Sequence, residues 1–218
     1  YMVFGLAQNE PDQQGMGTTL TALVIAGNVG ITAQVGDSRI YLVRDGAAAQ
    51  LTEDHTLIAW QIKQGIITQD EAARSPHKNV ITRAVGSRDY VQVDTACFPV
   101  RPGDAFLLCS DGLHGYLEEQ EVPKLFDAIA DEEISQKLID LANERGGKDN
   151  ITSIVIRIPD AESGVDKLAR DVSLKMEVLH KMPLFRYLTY QELVRLLNVT
   201  EVRSFDANQE IVQEGKEG

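Results

Sequence analysis

Apolar positions in the first part of the chain fall in short, β-branched runs punctuated by glycine turns. Residues 18–26 (Thr-Thr-Leu-Thr-Ala-Leu-Val-Ile-Ala) read as a strand turned at Gly27-Asn28. Residues 31–35 form a second strand ending at Gly36-Asp37-Ser38-Arg39. Residues 40–44 form a third, closed by Asp45-Gly46, a strong hairpin signal, and 47–51 return. Together they predict a β-meander. Ahead of it, residues 1–7 read as the tail of a helix and 9–17 as a polar loop.

The period then changes. Asp54 is placed to cap a helix over 55–64 with Leu57 and Trp60 on one side, stopped by Gly65. Thr68 caps a short helix over 69–74, which Ser75-Pro76 ends. Residues 79–86 are mixed, and 91–98 alternate as a strand does. Residues 106–109 (Phe-Leu-Leu-Cys) follow the turn Pro102-Gly103-Asp104 and read as a short buried strand that delivers Ser110, Asp111 and Gly112 at its end. Helices are predicted over 118–126 and 134–145, the second with Leu138, Leu141 and Ala142 at helical spacing and Gly146-Gly147 as its stop. Residues 151–158 form a last strand before Pro159.

Strands early and late, with helices between and few βαβ alternations, predict an α+β fold with antiparallel sheets. A polar linker is expected over 160–171. Beyond it a new pattern starts: Leu174, Val178 and Leu179 on a helix, a helix over 190–197, then short strands at 201–205 and 210–212. The chain has 218 residues, enough for one medium domain and part of another. Both ends read as cut, since it opens on Tyr1-Met2 and closes on a turn signal, Gly215-Lys216-Glu217-Gly218.

Charge narrows the partners. The net charge of −12, with no Lys/Arg cluster, argues against nucleic acid or an anionic membrane. Cys97 and Cys109 both lie in apolar runs, with neither the number nor the spacing of a disulfide framework or a zinc site. No apolar run approaches ~18 residues and no signal pattern opens the chain, so a soluble, cytoplasmic protein is expected.

Three aspartates share one context. Asp37 follows the strand 31–35, Asp111 follows 106–109, and Asp149 precedes 151–158 within Gly146-Gly147-Lys148-Asp149-Asn150. Short acids at strand ends beside glycine can converge at one sheet edge, and such hard oxygen donors suit Mg²⁺ or Mn²⁺. Each is equally well read as a turn aspartate or strand cap, and both readings stay open on the residues alone.

Residues 1–160 resemble the PPM family of metal-dependent protein Ser/Thr phosphatases, the protein phosphatase 2C-like enzymes, in their bacterial form. The likeness rests on six ordered stretches: Gly17-Thr18-Thr19; Gly36-Asp37-Ser38-Arg39-Ile40-Tyr41; Leu51-Thr52-Glu53-Asp54-His55; Ile81-Thr82-Arg83-Ala84-Val85-Gly86; Cys109-Ser110-Asp111-Gly112-Leu113; and Gly147-Lys148-Asp149-Asn150-Ile151-Thr152. The resemblance implies a β-sandwich with helices on both outer faces (αββα) and a binuclear Mn²⁺/Mg²⁺ centre. Asp111 and Asp149 would be ligands of one ion, and Asp37 with Asp111 would hold a third, weaker one. Residues 54–79 would be the flap beside the site. His55 and His77 are expected to be structural or surface histidines, and Arg39 to pair with a nearby acid. The implied substrate is phosphoserine or phosphothreonine in a phosphoprotein.

The family's Asn-Glu-Asp strand and Asp-Gly-x-Gly-Gly loop, which by resemblance supply the metal-bridging aspartate and a phosphate-holding arginine, do not occur in these residues. The 218 residues alone are therefore expected to have little or no activity. The alternative is a non-catalytic regulatory or scaffold module on the same fold.

Residues 177–218, after a connecting stretch at 161–176, resemble the opening of a cyclic-nucleotide-binding domain, through Leu179, Met182-Pro183-Leu184-Phe185, Leu188, Glu192-Leu193 and Leu196, then Val202, Phe205, Glu210-Ile211-Val212 and Glu214-Gly215. That resemblance implies cAMP or cGMP as a partner, with the nucleotide cassette lying further on. Such a sensor is expected to sit beside the sandwich without entering its core.

Overall fold

The computed structural model describes residues 1–77, 80–159, 178–179, 181–185 and 187–199. Helix α1 (Met2–Asn9) leads through a single 3-10 turn to strand β1 (Leu20–Ala26). Gly27, at φ +60°, turns β1 into β2 (Val29–Val35), with Ala26 opposite Val29 and Leu20 opposite Val35. The outer partner of β2 is β5 (Asp94–Pro99), antiparallel, with Gln34 opposite Asp94. These make a sheet in the order β1-β2-β5.

A second sheet takes the order β4-β3-β6-β7, from β3 (Arg39–Arg44), β4 (Ala47–Gln50), β6 (Ala105–Cys109) and β7 (Ser153–Arg157). Asp45 and Gly46 both take positive φ, +52° and +73°, as the hairpin between β3 and β4 requires. The four early strands are thus not one meander. At Gly36 (φ +107°) the chain leaves the first sheet, and β3 pairs with β6, Leu42 opposite Phe106. A Cβ at Gly36 would run into the Thr19 side chain, so this crossing needs glycine for space as well as for φ.

The four-stranded sheet is apolar on both faces. One face, with Tyr41, Val43, Leu107 and Cys109, packs against α4 (Asp111–His114), α5 (Val122–Ala128) and α6 (Asp131–Glu144) through Leu113, Val122, Phe126, Ile134 and Leu138. The other, with Ile40, Leu42 and Phe106, meets Phe98 and Val100, and the Phe98 and Phe106 rings lie 5.8 Å apart.

Three expectations are corrected. Helix α2 (Leu57–Lys63) is capped by Thr56, whose Oγ1 accepts from Ala59 N at 3.1 Å, not by Asp54. The carboxylate of Asp54 is engaged by Arg39 and the helix starts two residues later, burying Ile58 and leaving Trp60 53% exposed. Among the described residues, helices cover one outer face only: Val24 and Ile31, paired on the far side of the three-stranded sheet, are 57% and 43% exposed. The segment after 177 does enter the core. Helix α7 (Tyr190–Val199) places Leu193 and Val194, each 3% exposed, among Ile40, Leu42 and Phe106. Adjacent apolar residues flanked by Glu192 and Arg195 give that helix a narrow stripe which water would otherwise cover. The expected linker at 160–171 and the strands at 201–205 and 210–212 lie outside the described residues.

Candidate functional site

The three aspartates come to one end of the four-stranded sheet by three separate devices. Asp111 stands where β6 ends and α4 begins, and its Oδ1 accepts from Gly112 N at 2.9 Å. Asp149 is carried by the loop after α6, which two positive-φ glycines, Gly146 (+144°) and Gly147 (+49°), fold back from the helix end. Its Oδ1 accepts from Asn150 N at 2.7 Å. Ser110 stitches the two loops together. Its amide donates to Thr152 O at 3.2 Å, its hydroxyl donates to Asn150 O at 3.2 Å, and Thr152 N donates to its Oγ at 3.0 Å. The fit leaves no room for a side chain at Gly112, where a Cβ would overlap the Asn150 carbonyl. Gly112→Ala must therefore part the Asp111 and Asp149 loops. If both carboxylates hold one ion, the expected loss of metal-dependent turnover is roughly a hundredfold, as for a misplacement of about 1 Å. Turnover by the product of the complete gene, with unchanged far-UV circular dichroism, checks it.

Asp37 sits at the crossing between sheets, 9% exposed. His114, three residues after Asp111 on α4, donates from Nε2 to Asp37 O at 2.9 Å and so ties that loop to the Asp111 helix. Burial first, then the charge of Asp111, pushes the Asp37 carboxyl above its ordinary range. Burial, and after it the charge of Arg39, pushes the His114 imidazole down. Arg39 is spoken for. It donates to Asp54 from Nε at 2.9 Å and Nη2 at 2.7 Å, and to Tyr41 OH from Nη1 at 2.9 Å. That is the pairing with an acid that the sequence led us to expect.

Asp37, Asp111 and Asp149 all line one open cleft of about 1360 Å³. Ile58, Ile62 and Ala72 from α2 and α3 (Gln69–Ala73) form part of its wall, so the described part of the expected flap borders the site. Thr189, Glu192 and Arg195 of the C-terminal segment also reach it. The aspartates share the cleft without closing on a point: among the described residues, no three His, Cys, Asp or Glu side chains are gathered closely enough to hold an ion. Of the two flap histidines, His77 is exposed and His55 is buried. His114 was not singled out from the sequence; its signal is the spacing Asp111-x-x-His114, which sets both residues on one helical turn.

A family model for protein phosphatase 2C matches residues 6–143. The serine/threonine phosphatase stp of Listeria monocytogenes is 39% identical over 161 residues, covering 73% of this chain and 64% of that protein. The serine/threonine protein phosphatase PstP of Mycobacterium tuberculosis is 39% identical over 155 residues, covering 71% of this chain and 30% of that protein. Among solved structures, the Streptococcus agalactiae serine/threonine phosphatase superposes with a TM-score of 0.69 at 39% identity, covering 72% of this chain and 65% of that one. The catalytic domain of PstP, solved with two manganese ions, superposes with a TM-score of 0.66 at 36% identity, covering 73% of this chain and 66% of that one. The chain spans just under two thirds of the length of the Listeria relative, at 64%.

Proposed function

We propose that this chain, which belongs to the protein phosphatase 2C family, serves a metal-dependent protein serine/threonine phosphatase. The observation that carries the reading is the placement of Asp37, Asp111 and Asp149 along one cleft, from three elements far apart in sequence. The donor set fits Mn²⁺ or Mg²⁺: it is made of carboxylate oxygens, and Asp37, whose carboxyl is pushed up first by burial and then by the charge of Asp111, lies near enough to Asp111 for a cation to serve both. Asp111 and Asp149 would hold one ion, and Asp37 with Asp111 another. Bound divalent ions supply an acidified water and neutralise charge on a phosphoryl group.

The rest of the cleft acts on the substrate. Arg39, locked to Asp54 and Tyr41, offers no hydrogen-bond fork to a phosphate. Ile58 and Ile62 add apolar surface to the cleft that the aspartates line, suited to side chains that flank a phosphorylated residue. The product of the complete gene is expected to dephosphorylate phosphoserine and phosphothreonine peptides with Mn²⁺, and to stop when EDTA is added. The 218 residues alone, which contain no Asp-Gly-x-Gly-Gly run, are expected to turn over far more slowly. Equal rates with and without EDTA would overturn the reading.

Regulation is the second part of the proposal. The likeness of 177–218 to a cyclic-nucleotide-binding domain suggests cAMP or cGMP as an effector, and α7 supplies the contact through which it would act. Leu193 and Val194 lie in the core between the sheets while Thr189 and Arg195 border the cleft. A nucleotide that binds one placement of this helix better than another shifts the cleft with it. The expected coupling is about 1–3 kcal/mol, several-fold to about a hundredfold in affinity. Titrating each nucleotide into the product of the complete gene checks this. Binding without change in turnover would sink the coupling, and no binding would sink the sensor.

A further inference from the structure

The backbone around Asp37 is held more completely than a turn needs. Gly36 N donates to the Nδ1 of His55 at 3.1 Å, and Gly36 O accepts from His55 N at 2.9 Å and from Gln34 Nε2 at 3.0 Å. The next carbonyl, Asp37 O, accepts from His114 Nε2. Gln34 Nε2 also reaches Ser38 O, at 2.7 Å. Three successive carbonyls, those of Gly36, Asp37 and Ser38, therefore each accept a hydrogen bond, and His55 supplies two of the contacts at Gly36.

His55 is itself fixed from behind. A backbone N–H can only donate, so Nδ1 must present its lone pair to Gly36 and the ring proton must be on Nε2. Nε2 lies 3.0 Å from Asp94 Oδ2, and Asp94 Oδ1 accepts from Arg83 Nη1 at 2.7 Å. Arg83 Nη1 stands 3.1 Å from Nε2, where two donors face one carboxylate. Asp94 opens β5, in the sheet the chain is leaving at Gly36.

We propose that His55, oriented by Asp94 and Arg83, is a positioning residue that sets the Asp37 carboxylate for a divalent cation in the cleft, although it never touches that ion. The inference rests on the cation reading of the cleft. The order Arg83–Asp94–His55–Gly36–Asp37 runs from the three-stranded sheet to the crossing, so the position of Asp37 follows the packing of both sheets. His114 holds the other side of the same residue and joins it to Asp111.

The discriminating experiment is Mn²⁺ binding by calorimetry to the product of the complete gene, comparing His55→Asn with His55→Gln. Asparagine places a carbonyl oxygen where Nδ1 stands and keeps an acceptor for Gly36 N. Glutamine places its amide further out, toward Asp94, and leaves Gly36 N without its partner. His55→Gln should lose about 10–100-fold in affinity at the Asp37-dependent site, the usual effect of removing a group that orients a ligand, while His55→Asn stays within a few-fold of wild type. A purely space-filling role would rank the two alike. Added to Asp37→Asn, His55→Gln should cost nothing further, because both act on one ligand. Equal affinities for the Gln and Asn variants would overturn the proposal while leaving the cation site intact. No Mn²⁺ binding by the wild-type protein would overturn the site, and this inference with it.

Discussion

Asp111→Asn or Asp149→Asn is expected to abolish Mn²⁺-dependent phosphatase activity in the product of the complete gene, by more than about a hundredfold. Loss of a group that merely orients a ligand costs about 10–100-fold, and these substitutions remove the anionic oxygen itself. The amide keeps the shape of the side chain, so the stitching by Ser110 survives and the fold should not change. Asp37→Asn is expected to weaken turnover without removing the more tightly bound ions, since Asp37 sits on the crossing between the sheets, apart from the loops that Ser110 stitches together. Initial rates across a Mn²⁺ series separate the two cases. Raising Mn²⁺ should rescue Asp37→Asn and leave the other two inactive. Full activity of Asp149→Asn at low Mn²⁺ would contradict the assignment.

The second large effect lies away from the cleft. Asp104 is 1% exposed and holds the Arg44 guanidinium with two bonds, Nε to Oδ1 at 2.7 Å and Nη2 to Oδ2 at 2.6 Å. It also accepts from Arg101 N at 2.7 Å, while its carbonyl takes Ile158 N at 2.8 Å. One residue thereby ties the ends of β3, β6 and β7. Asp104→Ala removes the carboxylate that neutralises a mostly buried arginine, and the expected cost is about 3–5 kcal/mol of folding stability. Replacing both partners, Asp104→Leu with Arg44→Met, should cost far less, because neither buried charge is then present to be desolvated. Urea denaturation of both variants checks this. A double variant as unstable as the single one would show that packing, not charge, makes the site costly.

Asp104 also marks what the sequence could tell. It was legible as part of a turn, Pro102-Gly103-Asp104, but its partner Arg44 is sixty residues away, and nothing local announces the pair. The strand at 106–109, the Asp45-Gly46 hairpin and the Thr68 cap were readable because each is written within a few residues. Thr68 indeed forms a reciprocal cap with Glu71. The crossing at Gly36 was not readable as such. A glycine before an aspartate looks the same whether the next strand pairs with the last one or leaves for another sheet, and only the later run at β6 decides that β3 goes to it.

Helix α2 shows the same limit on a smaller scale. Asp54 and Thr56 are both good caps, and the choice turns on Arg39, fifteen residues earlier, which claims Asp54. Of the candidate site, the three aspartates were legible as strand-end acids, and the structure sets all three along one cleft. The contacts through which His55, His114 and Ser110 hold the loops around them were not legible, because they are made with backbone brought near by the fold.

The central claim is that Asp111 and Asp149 bind a common divalent ion. The most direct measurement is an anomalous difference map at the manganese edge from crystals of the product of the complete gene grown with Mn²⁺. A peak within about 2.0–2.6 Å of an oxygen of both carboxylates, the range for hard divalent ions on oxygen, is the result expected here. A protein that hydrolyses phosphopeptides while its manganese lies away from both aspartates would contradict it.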